Sequence, residues 1–545
     1  MIPFAAPLGD IEAALGRATD GQDLPDWDGD LARDVLGHFA TFAEGVLAPI
    51  DETGDRQGCR IEGGRVRTPD GFPAAYAAYA RDGWPGLTLP EAFGGQALSP
   101  LIGAVVTEVF AGANMSLQMV TGLVAGAART ILAFGSPDQQ ARWLPRLASG
   151  DILNTMCLTE PGAGSDLSRI RTRARPDGMV WRIDGEKTFI SGGDQDLTKD
   201  ILHLVLARTG DEAGVRGLSL FLCPSQSGQG RNAVKVTRIE DKMGLHASPT
   251  CHMVFDGAEA ELLGAPGQGL RAMFTLMKHA RIDVALQGVA LASRAHHIAS
   301  TYAADRKQGR GQGREQGREQ GQAHQGPVTI DQHPAVRRML EEQRALALGG
   351  RLMCLDALVA LETGQGPLAD FLTPVCKVFG SQAGIWAADL GLQVLGGYGY
   401  LAEYRMEQIY RDARITAIYE GTNEIHALAL AGRGLAQPGG ADAFEAYLAK
   451  GLDPATVARW TRLRQAVGAA GDVGLLADDF MQATARFAWL SALNRLDGTM
   501  AAILAKETFA RIAFHEACIG AKLPEAGGAA CLQGPEPTVS GSPGS

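Results

Sequence analysis

Apolar residues recur at spacings of three and four through "LARDVLGHFATFAEGVLAPI" and "AGAARTILAFGSPDQQARWLPRLASGD", which predicts amphipathic helices from about residue 30 to 150. Gly and Pro break the pattern, and "GWPGLTLPEAFGG" between the two runs reads as a loop. Near residue 155 the texture changes to short β-branched runs separated by turn residues: "MVWRIDGEKTFIS", "DILHLVLART", "GLSLFLCPS", "NAVKVTRIE" and "PTCHMVFDGAE". These predict antiparallel strands in a small barrel or sandwich. The helical period returns at "GLRAMFTLMKHARIDVALQGVALASRAHHIASTYAADR" and continues past residue 430, with lengths suited to bundle helices.

The expected organisation is mostly α with a central β domain: a helical domain over 1–155, a β domain over 156–265, and a helical bundle over 266–435. A helical extension follows over 436–523, and a Pro/Gly-rich tail over 524–545 is expected to be disordered. Within the bundle, "KQGRGQGREQGREQGQAHQG" (307–326) has no large apolar side chain to bury, so it reads as a low-complexity loop between helices.

A chain of 545 residues that is 46% hydrophobic and 20% charged has ample core for several domains. Its formal net charge of -11 disfavours general attraction to nucleic acid or an anionic membrane. The start, "MIPFAAPLGDIEAALG", has neither the basic nor the long apolar region of a signal peptide, and no uninterrupted apolar run reaches spanning length; a cytoplasmic protein is expected. The eight cysteines form no C-x-x-C pair, and they read as small buried hydrophobes rather than metal ligands or a disulfide framework.

Chemistry collects in three segments. In "MCLTEPGAGSDLSRIRTRA", Gly162 to Ser165 form a small-residue turn whose N–H groups can approach an anion or ring, with hydroxyls at Thr159 and Ser165; a plain tight turn is the simpler reading. "KTFISGG" places an aromatic on a strand, where core packing is the usual role. In "LQVLGGYGYLAEYRMEQIYRDARITAIYEGTNEI", the G-G-Y-G cluster either seats a cofactor or ends a helix. Thr422 and Glu424 there suit the cap and first turn of a helix.

The order and spacing of L-T-E-P-G-A-G-S-D, F-I-S, the arginine of "YAADR", Q-x-x-G-G-x-G-Y and Y-E-G-T-N-E-I resemble the acyl-CoA dehydrogenase family of flavoproteins over roughly residues 30 to 435. The extra C-terminal helices and "KMGLHASPTCHMVFDG" look like its long-form subgroup, which includes methylthiopropanoyl-CoA dehydrogenases. The resemblance implies a helical domain, a β domain and a four-helix bundle with FAD where they meet. It implies removal of hydrogens from Cα and Cβ of an acyl-CoA, methylthiopropanoyl-CoA or another short or medium chain, to give the trans-2-enoyl thioester. Glu420 is implied as the base, with hydride passing to flavin N5 and electrons to an electron-transfer flavoprotein.

For FAD the resemblance implies Met156, Leu158, Thr159, Gly164 and Ser165 around the flavin and pyrophosphate, and Phe189, Ile190 and Ser191 along the ring. Thr422 and Glu424 are implied on the dinucleotide; Arg306, with Gln393, Gly396 and Gly397 from a neighbouring subunit, on the ADP part. Ser165, Arg281 and Gly421 are implied at the substrate, and no metal is expected. A shared cofactor implies a homo-oligomer, a dimer before a tetramer. Some relatives place the base on the helix after the β domain, close to the position of Ala280, and "KHARID" offers no acid at that position. Lys278 stands where many members carry an aspartate for the adenine, and "KQGR" replaces the Phe-Gly that often follows Arg306. The alternatives are an acyl-CoA oxidase using oxygen, a DNA-binding flavoprotein of the same fold, and a flavin-free scaffold. The mixed charges of residues 436–545 do not make the basic surface that DNA binding needs.

Overall fold

The computed structural model describes residues 2–25, 27–210, 212, 214–228, 230–310 and 327–523. These gather into two compact units, Met1–Leu8 with Asp26–Asp283 and Gly9–Pro25 with Val284–Ser545.

The first unit begins with helices whose ends obey local chemistry. The Asp28 carboxylate accepts from the N–H groups of Asp30 and Leu31 and starts α1 (Gly29–Phe42). α2 (Pro100–Thr121) and α3 (Val124–Phe134) follow, and Ser136 and Gln139 form a reciprocal capping box at the start of α4 (Pro137–Ala148). The stretch Pro100–Phe134 has a window of mean hydropathy 1.4, enough by length and composition to cross a membrane, which a search for uninterrupted apolar runs misses. A buried core helix passes the same test, and 56% of that window is buried inside the protein. A hairpin the helical pattern conceals, Arg60–Glu62 with Arg65–Arg67, turns through Gly63 and Gly64, whose φ of 57° and 74° suit glycine.

Among the described residues the main sheet of the β region has seven strands: β1 (Ile152–Cys157), β2 (Arg173–Asp177), β3 (Val180–Ser191), β4 (Asp200–Arg208), β5 (Leu218–Pro224), β6 (Val234–Ile239) and β7 (Thr250–Leu263). They run in the order β6-β7-β3-β2-β4-β1, and β5 pairs with both β7 and β4, so five strands close a ring and edges are removed from the sheet's centre. The expected antiparallel pairing holds except at β4, which runs parallel to β1, Ile152 opposite Asp200 through Cys157 opposite Val205, and meets β2 in parallel at Arg173 and Arg208. A parallel pair needs a long crossover, and the 42 residues from Cys157 to Asp200 exclusive, β2 and β3 among them, provide it. β4 is buried from Asp200 to Ala207 because both faces are covered: Leu202, Leu204 and Leu206 pack with helix residues Ile131 and Leu144, Val205 and Ala207 with Phe221 and Cys223 inside the ring.

α5 (Gly269–Asp305) contributes its residues through Asp283 to the first unit and the rest to the second. In the second unit α6 (Pro334–Glu362) and α7 (Gly366–Leu395) are long core helices. Gly288 meets the backbone of Gly380 so closely that a Cβ would collide, which brings α7 tight against α5. α8 (Met406–Arg414) and α9 (Asn423–Ala429) flank the Tyr419 to Thr422 loop. The extension helices α10 (Ala477–Leu496) and α11 (Gly498–Lys522) belong to this unit: Trp489 Nε1 donates to Ala345 O at 2.9 Å, and Arg495 pairs with buried Asp356 at 2.9 Å. Lys307–Arg310, the first residues of the low-complexity insert, pair with Pro327–Thr329. The remainder of that insert and the tail from 524 lie outside the described residues. Among the described cysteines five are buried and none is bridged.

Candidate active site

In the first unit the chain leaves β1 at Met156 and Cys157 and turns at once, Glu160 and Ala163 exchanging two backbone hydrogen bonds of 3.0 Å. Gly162, Gly164 and Ser165 are exposed on this turn, and a Cβ at either glycine would meet no protein atom within 4 Å. The turn is open on the side where a ligand would lie. Its inner side is fixed by Lys187, fully buried, whose Nζ donates to Leu158 O at 2.9 Å and to Glu160 Oε1 at 2.8 Å. The Glu160 carboxylate also accepts from the N–H groups of Arg171 at 2.7 Å and Thr172 at 3.1 Å. Burial works against its charge, but the Lys187 ammonium and these donors hold Glu160 below the usual carboxylate range.

Lys187 lies on β3, two residues before Phe189, and Thr188 N–H donates to Thr159 O at 2.9 Å, so the turn and this strand form one surface. Core packing is the usual role of an aromatic on a strand, but Phe189 is 64% exposed. A bulge causes it, because two residues, Thr188 and Phe189, face the single His252 of β7, and Phe189 takes a left-handed φ of 59°. Ile190 returns to the core at 2% exposure and Ser191 is half-buried. An aromatic forced outward beside an open glycine turn is a platform for a flat ring.

On α5, Arg271, Phe274 and Lys278 are exposed and Arg281 half-buried. Their spacing of three, four and three puts them on one face, and the Arg281 guanidinium lies 6.0 Å from the Phe274 ring centre. Ala280 is buried. Sequence reading missed Asp283, three residues beyond it, whose carboxyl burial raises to about 6 against the opposing pull of Arg129. His279, half-buried, is pushed down to about 3 by loss of solvent and by the Arg129 charge.

In the second unit Arg306, Gly396 and Gly397 line one cavity of about 550 Å³ together with Tyr302, His333 and Tyr398. Gly396 both ends α7 and lines the cavity. Gln393 is exposed one turn earlier and is not among the lining residues. The Arg306 guanidinium sits 5.5 Å from the Tyr398 ring centre; aromatic rings here come from Tyr398 and Tyr302 where "KQGR" has none.

Glu420 is half-buried in the loop before α9 and has a φ of 55°, followed by Gly421 at 92°. A side-chain-bearing residue in that conformation costs on the order of 1 kcal/mol, so the surroundings must hold it. Glu420 O accepts from His426 Nε2 at 3.0 Å and Gly421 O from Lys377 Nζ at 2.7 Å. Gly421 is required twice over, by its φ and because a Cβ would stand 3.0 Å from His426 Nε2. Tyr419 Oη donates to Gln287 Oε1, which fixes the preceding residue. Thr422 caps α9, its hydroxyl accepting from Ile425 N–H at 3.4 Å. The Glu424 carboxyl is held below its ordinary range by its own N–H and the Thr422 hydroxyl. Two consecutive left-handed residues with pinned carbonyls aim one carboxylate.

The buried lysines, Lys187 and Lys377, are the residues sequence reading passed over. The signal was present: each interrupts an apolar run, "GEKTFI" and "PVCKVFG", where a charge is expensive unless it has fixed acceptors.

Comparison with known proteins agrees with this geometry. Residues 32–151 match the N-terminal domain, 155–258 the middle domain and 318–435 the C-terminal domain of acyl-CoA dehydrogenases. The chain is 40% identical over 461 residues to 3-methylmercaptopropionyl-CoA dehydrogenase of Ruegeria pomeroyi, covering 80% of this chain and 77% of that one. It is 36% identical to the broad-specificity linear acyl-CoA dehydrogenase FadE5 of Mycobacterium tuberculosis, covering 76% and 71%. A solved acyl-CoA dehydrogenase of Bacillus anthracis, complexed with FAD, shares the fold with a TM-score of 0.73 at 23% identity over 92% of this chain and 89% of that one. The matches to all three domains and the 40% identity over most of the chain establish that this protein belongs to the acyl-CoA dehydrogenase family.

Proposed function

We propose that the protein is an FAD-dependent oxidoreductase that converts a short acyl-CoA, with 3-methylthiopropanoyl-CoA the foremost candidate, to its trans-2-enoyl thioester. The observation that carries it is Glu420, a carboxylate held in a left-handed turn with Gly421, the carbonyls of both residues pinned by His426 and Lys377. The α-hydrogen of a thioester is scarcely acidic in water, so a base fixed at hydrogen-bond range is the first requirement. Glu420 takes that proton, and the Gly421 backbone lets the thioester lie close.

The residues of the first unit fit the cofactor. Phe189 offers a face to a flat ring, and the exposed turn at Gly162 to Ser165 offers N–H groups to phosphate or ring oxygens. Arg306 and Gly396 line a cavity with room for a nucleotide portion. When bound, FAD supplies the acceptor for the hydrogen that leaves Cβ. Arg281, with Arg271 and Lys278 on the same helix face, is suited to the phosphates of the CoA head, and Phe274 to its adenine. The 40% identity to a methylmercaptopropionyl-CoA dehydrogenase supports the substrate. An electron-transfer flavoprotein as reoxidant, a homodimer and a cytoplasmic setting complete the proposal.

The test is anaerobic bleaching of the yellow holoenzyme by a panel of acyl-CoA thioesters. Wild type is expected to bleach fastest with short chains, and Glu420→Gln to keep its colour while losing at least 10³-fold of the rate, about 4 kcal/mol. Because burial raises the Asp283 carboxyl to about 6 and Asp283 lies near the place where some relatives carry a base, Asp283→Asn is run beside it. Bleaching lost in Asp283→Asn and kept in Glu420→Gln would reverse the assignment.

A further inference from the structure

The loop that aims Glu420 is clamped from α7. Lys377 is fully buried, and its Nζ donates to Gly421 O at 2.7 Å and to Asn423 Oδ1 at 2.9 Å. Ser381, one turn further along α7, shares the Asn423 side chain: the amide nitrogen donates to Ser381 Oγ at 3.1 Å, within reach also of Oδ1 at 3.2 Å. The second donor comes from α9. His426 is buried, and since its Nε2 faces the carbonyl of Glu420 at 3.0 Å, that nitrogen carries the proton. The two peptide carbonyls that flank Gly421 are therefore gripped by separate helices.

A buried ammonium is costly unless acceptors surround it, and a chain that needs only a filled core would place an apolar residue between Cys376 and Val378. An ammonium has three donors spread in space, so it holds a main-chain carbonyl and a side-chain amide at once, where a hydroxyl has one. Its position on a long core helix, locked at the Gly288 and Gly380 crossing, makes the anchor rigid. Together these two grips hold the peptides on either side of Gly421, and with them the turn from which the preceding residue, at φ 55°, projects its carboxylate.

Resting on the reading of Glu420 as the base, we infer that Lys377 is a positioning residue for proton abstraction, with Asn423 and Ser381 as its relay to the loop. Lys377 does not touch substrate. It acts by holding the Gly421 carbonyl, one of the two grips on the turn that presents Glu420, so its loss lowers the chemical step more than substrate binding.

The experiment uses FAD-loaded full-length protein and butanoyl-CoA as the probe, and follows α-hydrogen exchange in deuterium oxide by NMR, which needs the base alone. It also follows anaerobic flavin bleaching. Lys377→Met is expected to slow exchange and bleaching together by 30-fold or more, with KM changed less than 3-fold and flavin content preserved. Lys377→Arg, which restores a buried donor, is expected to recover part of the loss, which a merely space-filling role would not give. Should Lys377→Met fail to fold, Ser381→Ala removes one hydroxyl from the relay and is expected to slow exchange 3- to 10-fold. Exchange at the wild-type rate in a folded, yellow Lys377→Met or Ser381→Ala overturns the inference, as does a loss confined to KM. Glu420→Gln in the same assay separates the two readings. If it keeps exchanging, the base is elsewhere; if it stops while Lys377→Met does not, only the role of Lys377 falls.

Discussion

At the scale of single residues, the side chains that matter stand in conformations or settings that a protein does not adopt for packing alone. Glu420 and Phe189 both sit at positive φ, and both belong to segments quoted from the sequence, yet neither torsion is written in the residue type. Asp283 is a third case. Burial raises its carboxyl to about 6, while Arg129 opposes the rise. A group whose folded pKa lies above its unfolded value gives stability that is complete below the unfolded value, near 4, and lost as pH climbs through about 6. The shift corresponds to roughly 2 to 3 kcal/mol across that window. Asp283→Asn cannot titrate, so its stability relative to wild type is expected to rise by that amount between pH 4 and pH 7. Urea unfolding at both pH values measures it, and parallel behaviour of the two proteins would show that Asp283 is not buried as an acid.

At the scale of elements, period and turn residues made the helical and β regions legible. The ring of strands was legible only as a class, because register and parallel pairing depend on contacts far apart in the chain: nothing in "DILNTMC" announces that β1 lies parallel to β4. The same limit hid the bulge at Thr188 and Phe189, since a bulge is a relation between β3 and β7 and not a property of either. Lys187 shows what joins them to the glycine turn. Removing one partner of a buried ion pair leaves the other charge uncompensated and costs about 3 to 5 kcal/mol. Lys187→Met is therefore expected to lower the thermal midpoint by several degrees, strand Glu160 and release FAD on gel filtration. Glu160→Gln in the same background removes the stranded charge and is expected to return most of the midpoint but not the cofactor, because the turn is still unanchored at Leu158 O. Recovery of both would make the pair a structural staple without a part in shaping the turn.

At the scale of the whole molecule, the formal charge of -11 opposes a ligand that carries several phosphate charges. At physiological ionic strength the Debye length is about 8 Å, so most of that charge is screened from any one site and the nearest groups decide. On α5 those groups are Arg271, Lys278 and Arg281, spread over ten residues of one helix face, with Phe274 among them. The motif comparison had marked Lys278 only as a departure from an expected aspartate; the helix turns that departure into a row of cations. If the row holds the CoA head, Lys278→Asp, an exposed change with little effect on folding, is expected to raise KM for butanoyl-CoA about 10-fold, equal to about 1.4 kcal/mol, while kcat stays within 2-fold. Raising salt from 50 to 500 mM is expected to weaken wild-type binding and to have much less effect on the variant. The same thioester of pantetheine, which has no phosphates, is expected to show no difference between the two proteins. An equal loss with the pantetheine thioester would assign Lys278 to the shape of the site, and the charge of the helix face would then have no part in recognising coenzyme A.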